Sequence, residues 1–368
     1  MDYHRLLITG GAGFIGHHLI EHIMRGFTEM DPTETRICVL DRLDETASFE
    51  RLSDITTWKD WRERVSTVWH DLKAPINATT VQTINAGLGG RPTAILHLAA
   101  ASHVDRSIAN PASFTQDNVV GTVNLLDYAT FLTETADCRE ISKPTILIFS
   151  TDEVYGPAPE GVWFKEGDRH NPGNPYAATK AAAESMARAY RNTYGLDLLI
   201  TNCMNVFGER QSPEKFIPMT IRKCMNGETN IVHTDADGVP GSRCYLHARN
   251  CADATVFALL NGRADGGDED GSYFNLASAG TYHIVGDVEV NNEEVVEHIH
   301  RIISVDQWIP NLKYQLVDFH SARPGHDFRY AQTGKRLADM GFGHKMPFDK
   351  ALRATVRWYL DNPTWLEV

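Results

Sequence analysis

The chain has 368 residues, 42% hydrophobic and 23% charged, the balance of an ordinary globular protein with room for two compact lobes or one large α/β domain with an appendage. Its formal net charge is -13 with no basic run, which argues against nucleic acid and anionic membranes as partners, although a few local arginines suffice for a phosphorylated ligand. No stretch approaches the roughly 20 apolar residues of a membrane span, and the opening "MDYHRLLITGG" lacks the basic-then-apolar layout of a signal peptide, so the expected location is the cytoplasm.

The first β-rich run, "RLLIT" (5–9), leads through "TGGAGFIG" (9–16) into an apolar stripe at helical spacing: Ile15, Leu19, Ile20, Ile23, Met24 and Phe27. Strand, glycine turn and helix give Gly10, Gly13 and Gly16 their meaning. They allow a tight turn and let a pyrophosphate approach the N-terminus of a helix that opens with Phe14 and Ile15. The second run, "RICVL" (36–40), ends on Asp41, a carboxylate placed to accept both ribose hydroxyls and to repel a 2'-phosphate. That favours NAD over NADP; Arg42 is the counter-signal, unless it is a plain surface arginine. The third run, "VSTVWH" (65–70), is followed by Asp71 and Leu72, in reach of an adenine edge. The fourth, "AILHL" (94–98), ends in "HLAA", where Leu98, Ala99 and Ala100 leave room for a cofactor. Ordinary strand ends would explain each of these sites singly, but four concordant ones point to a bound dinucleotide.

A second helix is expected over about 112–131. Then "TILIFS" (145–150) runs straight into "STDEVYG" (150–156), which sets Asp152 beside Glu153 at the end of a buried strand, a costly place for charge. A third helix starts after Pro175 and stops at Gly195, the proline-in, glycine-out asymmetry of helix ends. A sixth strand, "DLLITN" (197–202), closes this half. The alternation implies an α/β fold, a Rossmann-type doubly wound parallel sheet. Beyond Asn202 the pattern loosens into a smaller mixed α/β lobe, with loops at 234–242 and 262–272 and helices expected near 215–226, 248–260, 291–303 and 347–361.

Cys38, Cys138, Cys203, Cys224, Cys244 and Cys251 form no CxxC pair and read as reduced and mostly buried. Cys244, His247 and Cys251 lie close in sequence but lack the four-ligand spacing of a zinc site, so no metal is expected. "YAATK" places Tyr176 and Lys180 one turn apart on one helix face. A free tyrosine, with a pKa of about 10, is a poor base. A nearby ammonium and a positive nicotinamide ring favour the tyrosinate, which would take a hydroxyl proton as the carbon gives hydride to NAD. Such a pair is common on helix surfaces; its place after a glycine turn and a strand ending in Ser-Thr gives it weight.

With these motifs the chain resembles the extended short-chain dehydrogenases/reductases, and within them the dTDP-glucose 4,6-dehydratases. The resemblance runs through "TGGAGFIG", "HLAAASHVDRSI" (97–108), "STDEVYG", "NPYAATKAAAE" (174–184), "PEKFIP" (213–218), "RPGHDFRYA" (323–331) and "WYLDNPTW" (358–365). It implies an NAD-dependent hydro-lyase acting on a nucleotide diphosphate sugar. In it Tyr176, with Lys180, works at the sugar's C4, Glu153 is the base at C5, Asp152 is the acid at the 6-hydroxyl and Thr151 bonds the 4-oxygen. Adjacent carboxylates suit such a split, because ionising one discourages the other. The resemblance assigns the nucleotide sugar to Ser102, His103, Asn205, Lys215, Arg243, Asn275 and Arg323, with arginine matching a pyrophosphate bidentately. It implies an NAD-binding domain over 1–202, to which 244–262 returns, a sugar-binding lobe mainly over 203–368, and a homodimer formed through the helices around 112–131 and 176–194.

The chain departs from the family pattern at Ala101, at His17, in "CMNVF" (203–207) and "RCYLH" (243–247), in the longer 230–242 segment, and at His233, where a tyrosine commonly packs near the base. These changes gather around the nucleotide. The expected substrate is therefore dTDP-glucose first and UDP-glucose next, since one methyl in an apolar pocket is worth about 1 kcal/mol. Two rivals stay open. One is a UDP-sugar 4-epimerase or decarboxylase, against which Asp152 and Glu153 speak. The other is a non-catalytic NAD(H) sensor, against which the intact Tyr176–Lys180 pair speaks.

Overall fold

A computed structural model describes residues 3–44, 46–53, 61–136, 143–264, 278–318 and 329–367. Cys138, Asn275, Arg323 and most of the 262–272 loop lie outside the described residues. In chain order, β1 (Arg5–Thr9), α1 (Phe14–Met24), β2 (Arg36–Asp41), α2 (Phe49–Ser53) and β3 (Val65–Trp69) come first. Next are α3 (Ala78–Leu88), β4 (Ala94–His97), α4 (Val104–Ala109), α5 (Pro111–Thr115) and α6 (Gly121–Glu134). β5 (Thr145–Thr151) then leads through a 3-10 turn (Asp152–Tyr155) to α7 (Pro175–Tyr194) and β6 (Asp197–Cys203). The second half begins with β7 (Val206–Phe207), α8 (Phe216–Asn226), β8 (Asn230–Thr234), β9 (Ser242–Cys244), β10 (Leu246–His247) and α9 (Ala248–Asn261). It ends with β11 (Thr281–Ile284), β12 (Glu289–Asn291), α10 (Asn292–Asp306), β13 (Tyr314–Asp318), α11 (Lys335–Asp339) and α12 (Phe348–Asp361).

Seven strands form one sheet in the order β11-β6-β5-β4-β1-β2-β3, every neighbouring pair parallel. The strands are apolar on both faces because helices cover both. Along β1, Leu6 and Ile8 join the core shared with α1 and α9, while Leu7 joins the opposite core with α3 and α6. The chain winds outward from β1 through β2 and β3, then returns to β4 on the other side. That reversal opens a crevice at the carboxyl ends of β1 and β4, where doubly wound sheets bind their ligands.

The expected doubly wound sheet is thus present, with two additions. β11, a four-residue strand far along the chain, pairs with β6 and forms the sheet's edge. α3 is a helix with no clear sequence stripe, capped by Asn77 and ended by left-handed Gly89. The helix expected over 112–131 is interrupted by a π-turn at Gln116–Val120. The extra residue in that turn lets Asn118 face the crevice side. Its Oδ1 accepts from Ala101 N (2.8 Å), and its Nδ2 donates to Ala101 O (3.0 Å) and Thr179 Oγ1 (2.9 Å), which ties the turn after β4 to α7.

α9 packs on α1 and beside β6 and β11. The other late helices, α8, α10 and α12, enclose a separate core of Ile217, Ile221, Val295, Ile299, Phe348, Leu352 and Tyr359. Three two-stranded pairs, β7–β10, β9–β12 and β8–β13, complete this part. Among the described residues no helix is long and apolar enough to cross a membrane.

Candidate active site

Gly10 has φ +70°, and a Cβ there would stand 2.7 Å from Ala99 N; one on Gly16 would stand 2.3 Å from Gly10 O. Only glycine lets β1, α1 and the end of β4 close this tightly. α1 begins at Gly13 with no side-chain cap and no acid in its first turn, so its leading N–H groups suit an anion. Gly10, Gly13, Asp41, Asp71, Leu72, Leu98, Ala99 and Ala100 line this one crevice. Phe14 and Ile15 turn inward: Phe14 meets His18 edge-on at 5.4 Å and Ile15 packs on the core, so they offer main chain rather than side chain.

Asp41 is buried and its two oxygens accept from Ala12 N (3.0 Å) and Leu43 N (2.9 Å), which fixes the carboxylate at the rim of β2. Burial pushes its pKa up, against those two bonds. Arg42, the counter-signal for NADP, is committed elsewhere. It donates to Asp44 Oδ2 (2.7 Å) and to both oxygens of Asp117 (2.5 and 3.2 Å), and lies 3.8 Å from Asp71. Three carboxylates occupy the guanidinium that a 2'-phosphate would need, so the crevice fits NAD. His17, standing where the family pattern differs, is buried, donates from Nδ1 to Gly13 O (3.1 Å), and is held neutral by burial. Next to it, His18 donates to Glu209 O (2.8 Å) and so ties α1 to the segment after β7.

Thr151 ends β5, and its hydroxyl organises the turn that follows. It donates to Asp152 Oδ1 (3.0 Å) and accepts from Glu153 N (3.4 Å). Asp152 is 5% exposed, and its Oδ2 is buried with no hydrogen-bond partner. Burial first, then the charge of Glu153, push its pKa up to about 7, against the Thr151 bond and the Arg243 charge. Glu153 is half-buried and faces different company: Oε2 accepts from Asn174 Nδ2 (3.2 Å) and from Tyr330 OH (3.2 Å).

Tyr176 lies in the first turn of α7 and is buried; burial and the Glu153 and Asp152 charges push its hydroxyl well up. Lys180 is one turn further on, as the spacing predicts, but its Nζ donates to Phe149 O (2.7 Å). Helical spacing fixes the face, not the rotamer, and the long side chain reaches the strand end. Burial lowers Lys180 to about 8, opposed by the Glu184 carboxylate.

Of the expected substrate residues, Lys215 precedes α8, is half-buried, and feels the Glu153 charge. Arg243 stacks over the Tyr330 ring at 4.7 Å and acts on Asp152. His103 caps α4 and lies 3.7 Å from Glu214. Ser102 and Asn205 are exposed; Asn205 O accepts from Leu246 N (3.0 Å). His233 is half-buried on β8, opposite Val317 of β13. The trio weighed as a metal site goes three ways. Cys251 meets Cys203 (Sγ–Sγ 3.4 Å), His247 lies 3.3 Å from Glu209, and Cys244 packs with Met204 and Tyr330. Among the described residues, no group of three or more His, Cys, Asp or Glu is arranged to hold a metal.

Sequence reasoning did not single out Asn174, Tyr330, Asp44 or Asp117. Asn174 and Tyr330 sit inside quoted motifs, and an asparagine before Pro175 carries the signal of a helix cap; nothing local marks the other three.

The model of the family described as GDP-mannose 4,6 dehydratase matches residues 7–355. A dTDP-glucose 4,6-dehydratase of Streptomyces niveus is 35% identical over 365 residues, covering 99% of this chain and 95% of that one. A dTDP-glucose 4,6-dehydratase of Escherichia coli K12 is 32% identical over 375 residues, covering 99% and 94%. Among solved structures, DesIV, the dTDP-glucose 4,6-dehydratase of Streptomyces venezuelae with NAD bound, superposes with a TM-score of 0.79 at 32% identity, covering 99% of both chains. The UDP-glucose 4-epimerase of Thermus thermophilus, at 24% identity and a TM-score of 0.76 over 97% of this chain and 99% of that one, shares the fold. The crevice, the Thr-Asp-Glu turn and these full-length matches agree: the chain belongs to the GDP-mannose 4,6 dehydratase family of extended short-chain dehydrogenases/reductases.

Proposed function

We propose that the chain is an NAD-dependent 4,6-dehydratase that converts a nucleoside diphosphate glucose, dTDP-glucose first and UDP-glucose next, to the 4-keto-6-deoxy sugar. The observation that carries this reading is the pair of adjacent carboxylates held in different environments beside Tyr176, in a chain matched end to end by named dehydratases. Gly10, Gly13, Gly16 and Asp41 would hold NAD, which when bound would supply the hydride chemistry, uptake from C4 and return to C6. The positive charge of a bound nicotinamide ring would offset the upward push on Tyr176 and favour its tyrosinate, which takes the proton of the 4-hydroxyl, with Thr151 bonded to that oxygen. The C4 ketone so formed acidifies the C5 proton, and Glu153 removes it. Asp152, protonated near neutral pH, gives its proton to the 6-hydroxyl oxygen, which leaves as water. Glu153 then returns a proton to C5, and the proton that Tyr176 took from the 4-hydroxyl is exchanged through solvent for the one Asp152 gave up, so the sugar has lost one water and every acid and base is restored.

The buried ammonium of Lys180 lies along the same strand end and helps to fix the cofactor side. Lys215, Arg243 and His103, with Ser102, Asn205, Asn275 and Arg323, hold the diphosphate and the nucleoside. In this reading 1–202 with 244–262 binds NAD and 203–368 binds mainly the nucleotide sugar, in a cytoplasmic homodimer; light scattering at twice the chain mass tests the assembly. The test of the activity is a panel of dTDP-, UDP-, CDP- and GDP-hexoses read by mass spectrometry. Loss of one water without net NADH is expected, and Glu153→Gln is expected to abolish it. An epimerised sugar of unchanged mass, or undiminished water loss in the variant, would overturn the reading.

A further inference from the structure

We propose that Asn174 is a positioning residue for the elimination: one side-chain amide caps the helix that carries Tyr176 and, with its other end, holds the Glu153 carboxylate in place as an acceptor. This deepens the function proposed above and rests on Glu153 being the base.

The argument starts from the backbone. Asn174 precedes Pro175, and its φ of -143° and ψ of 165° are the extended values that a following proline requires. In that conformation its Oδ1 accepts from Ala177 N at 2.9 Å, the bond that starts α7. An amide oxygen can accept and an amide nitrogen can only donate, so this cap fixes which end of the side chain points where. Nδ2 is thereby presented away from the helix, and it meets Glu153 Oε2 at 3.2 Å. The amide is buried, so it is not free to turn and trade partners with water. Tyr330 OH donates to the same oxygen at 3.2 Å. Two donors on one oxygen set the rotation of the carboxylate and favour its ionised form, which a base needs.

The other charged or titratable groups facing Glu153 are Asp152 on its own turn, Tyr176 from α7 and Lys215 from the head of α8. Tyr176 N donates to Ser107 Oγ at 3.1 Å, so the first turn of α7 is held on both sides. Asn174 thus sits between the two proton acceptors of the reaction, and only a side chain with its acceptor and its donor on separate atoms does both jobs.

That double demand separates the two roles by mutation. Asn174→Ser keeps a capping oxygen but loses the separate Nδ2 that reaches Glu153, its shorter hydroxyl being held at the cap; Asn174→Asp keeps the cap and sets a carboxylate against Glu153; Asn174→Ala removes both. With dTDP-glucose as substrate, N174S is expected to melt with the wild type and to leave KM unchanged. Its kcat should fall about tenfold, and the acidic limb of its pH profile should move up by about one unit. N174D should move the limb further, and N174A should in addition melt earlier. Exchange of the C5 proton in deuterium oxide should slow in step with kcat. An N174S enzyme with wild-type kcat and an unmoved acidic limb would overturn the inference; should N174S fail to fold, the isosteric N174D decides by the same limb. Glu153→Gln is measured alongside. If E153Q is dead while N174S is normal, this inference alone fails; if E153Q still eliminates water, both readings fail.

Discussion

Replacing Asp152 by asparagine should cost the enzyme its activity and make its stability relative to the wild type rise with pH. Burial and the Glu153 charge raise the Asp152 carboxyl from its ordinary 3.8 to about 7. Between those values the folded chain holds a proton that the unfolded chain has released. Wild-type stability therefore falls as the pH rises from about 4 to about 7 and is level above that window. The shift is about three units, which at 1.36 kcal/mol per unit is about 4 kcal/mol. For 368 residues at about 2.1 cal/mol/K per residue, that is about 5 °C in Tm. D152N does not titrate. Its amide oxygen can still accept from Thr151, while its NH2 group takes the place of Oδ2, which has no partner. That unmet donor carries a constant penalty of about 1 to 3 kcal/mol, so the change of the Tm difference with pH, not its absolute value, carries the test. Thermal melts of both proteins at pH 4 and pH 8 should show the variant gaining about 5 °C on the wild type. Turnover of D152N on dTDP-glucose should be about 100-fold or more down, as for loss of a general acid, and wild-type turnover should decline as the pH rises through about 7. A melting gap that is constant with pH, or that closes as the pH rises, would refute the assignment of Asp152 as a neutral acid.

Gly16→Ala must push a Cβ to within 2.3 Å of Gly10 O, so the purified protein should retain at least about tenfold less NAD, read by releasing and quantifying nucleotide on denaturation; a full complement of NAD would contradict the packing argument. Asp44→Asn with Asp117→Asn frees Arg42 from its two closest partners, so NADPH should bind about tenfold more tightly than to the wild type, measured by fluorescence titration. Unchanged NADPH affinity would show that these carboxylates do not set cofactor choice.

What was legible in the sequence is what local chemistry dictates. α7 is an example: Pro175 and Gly195 mark its ends, and the structure has the first-turn proline and a left-handed glycine at φ +65°, with Asn174 as the cap that was not singled out. The glycine turn after β1 and the carboxylates after β5 were readable for the same reason. β11 was not, because "TYHI" is too short to declare itself and becomes a strand only by pairing with β6. The π-turn in the 112–131 helix was hidden too, since its reason is the grip of Asn118 on Ala101, two segments apart. Tyr330 reaches Glu153 across 177 residues of chain, and the bond from Lys180 to Phe149 is a rotamer choice set by the carboxyl end of β5. Spacing along one element carries no trace of either.

Two carboxylates on one turn begin with nearly the same acidity, so an acid and a base can be drawn from them only if their surroundings differ. Here the backbone makes the difference. The 3-10 turn after β5 sends Asp152 down toward the thiols of Cys203 and Cys244, which feel its charge, and leaves Oδ2 without a partner. The next residue turns outward to two donors and within the field of Lys215. One carboxyl is thus denied what stabilises charge and the other is supplied with it. The pair is also coupled, since part of what keeps Asp152 protonated is the negative charge of Glu153. On the mechanism proposed above, that coupling times the elimination. While Glu153 is ionised, Asp152 keeps its proton. Once Glu153 takes the C5 proton its charge is gone, the repulsion disappears, and Asp152 becomes a stronger acid just when the 6-hydroxyl needs a proton in order to leave.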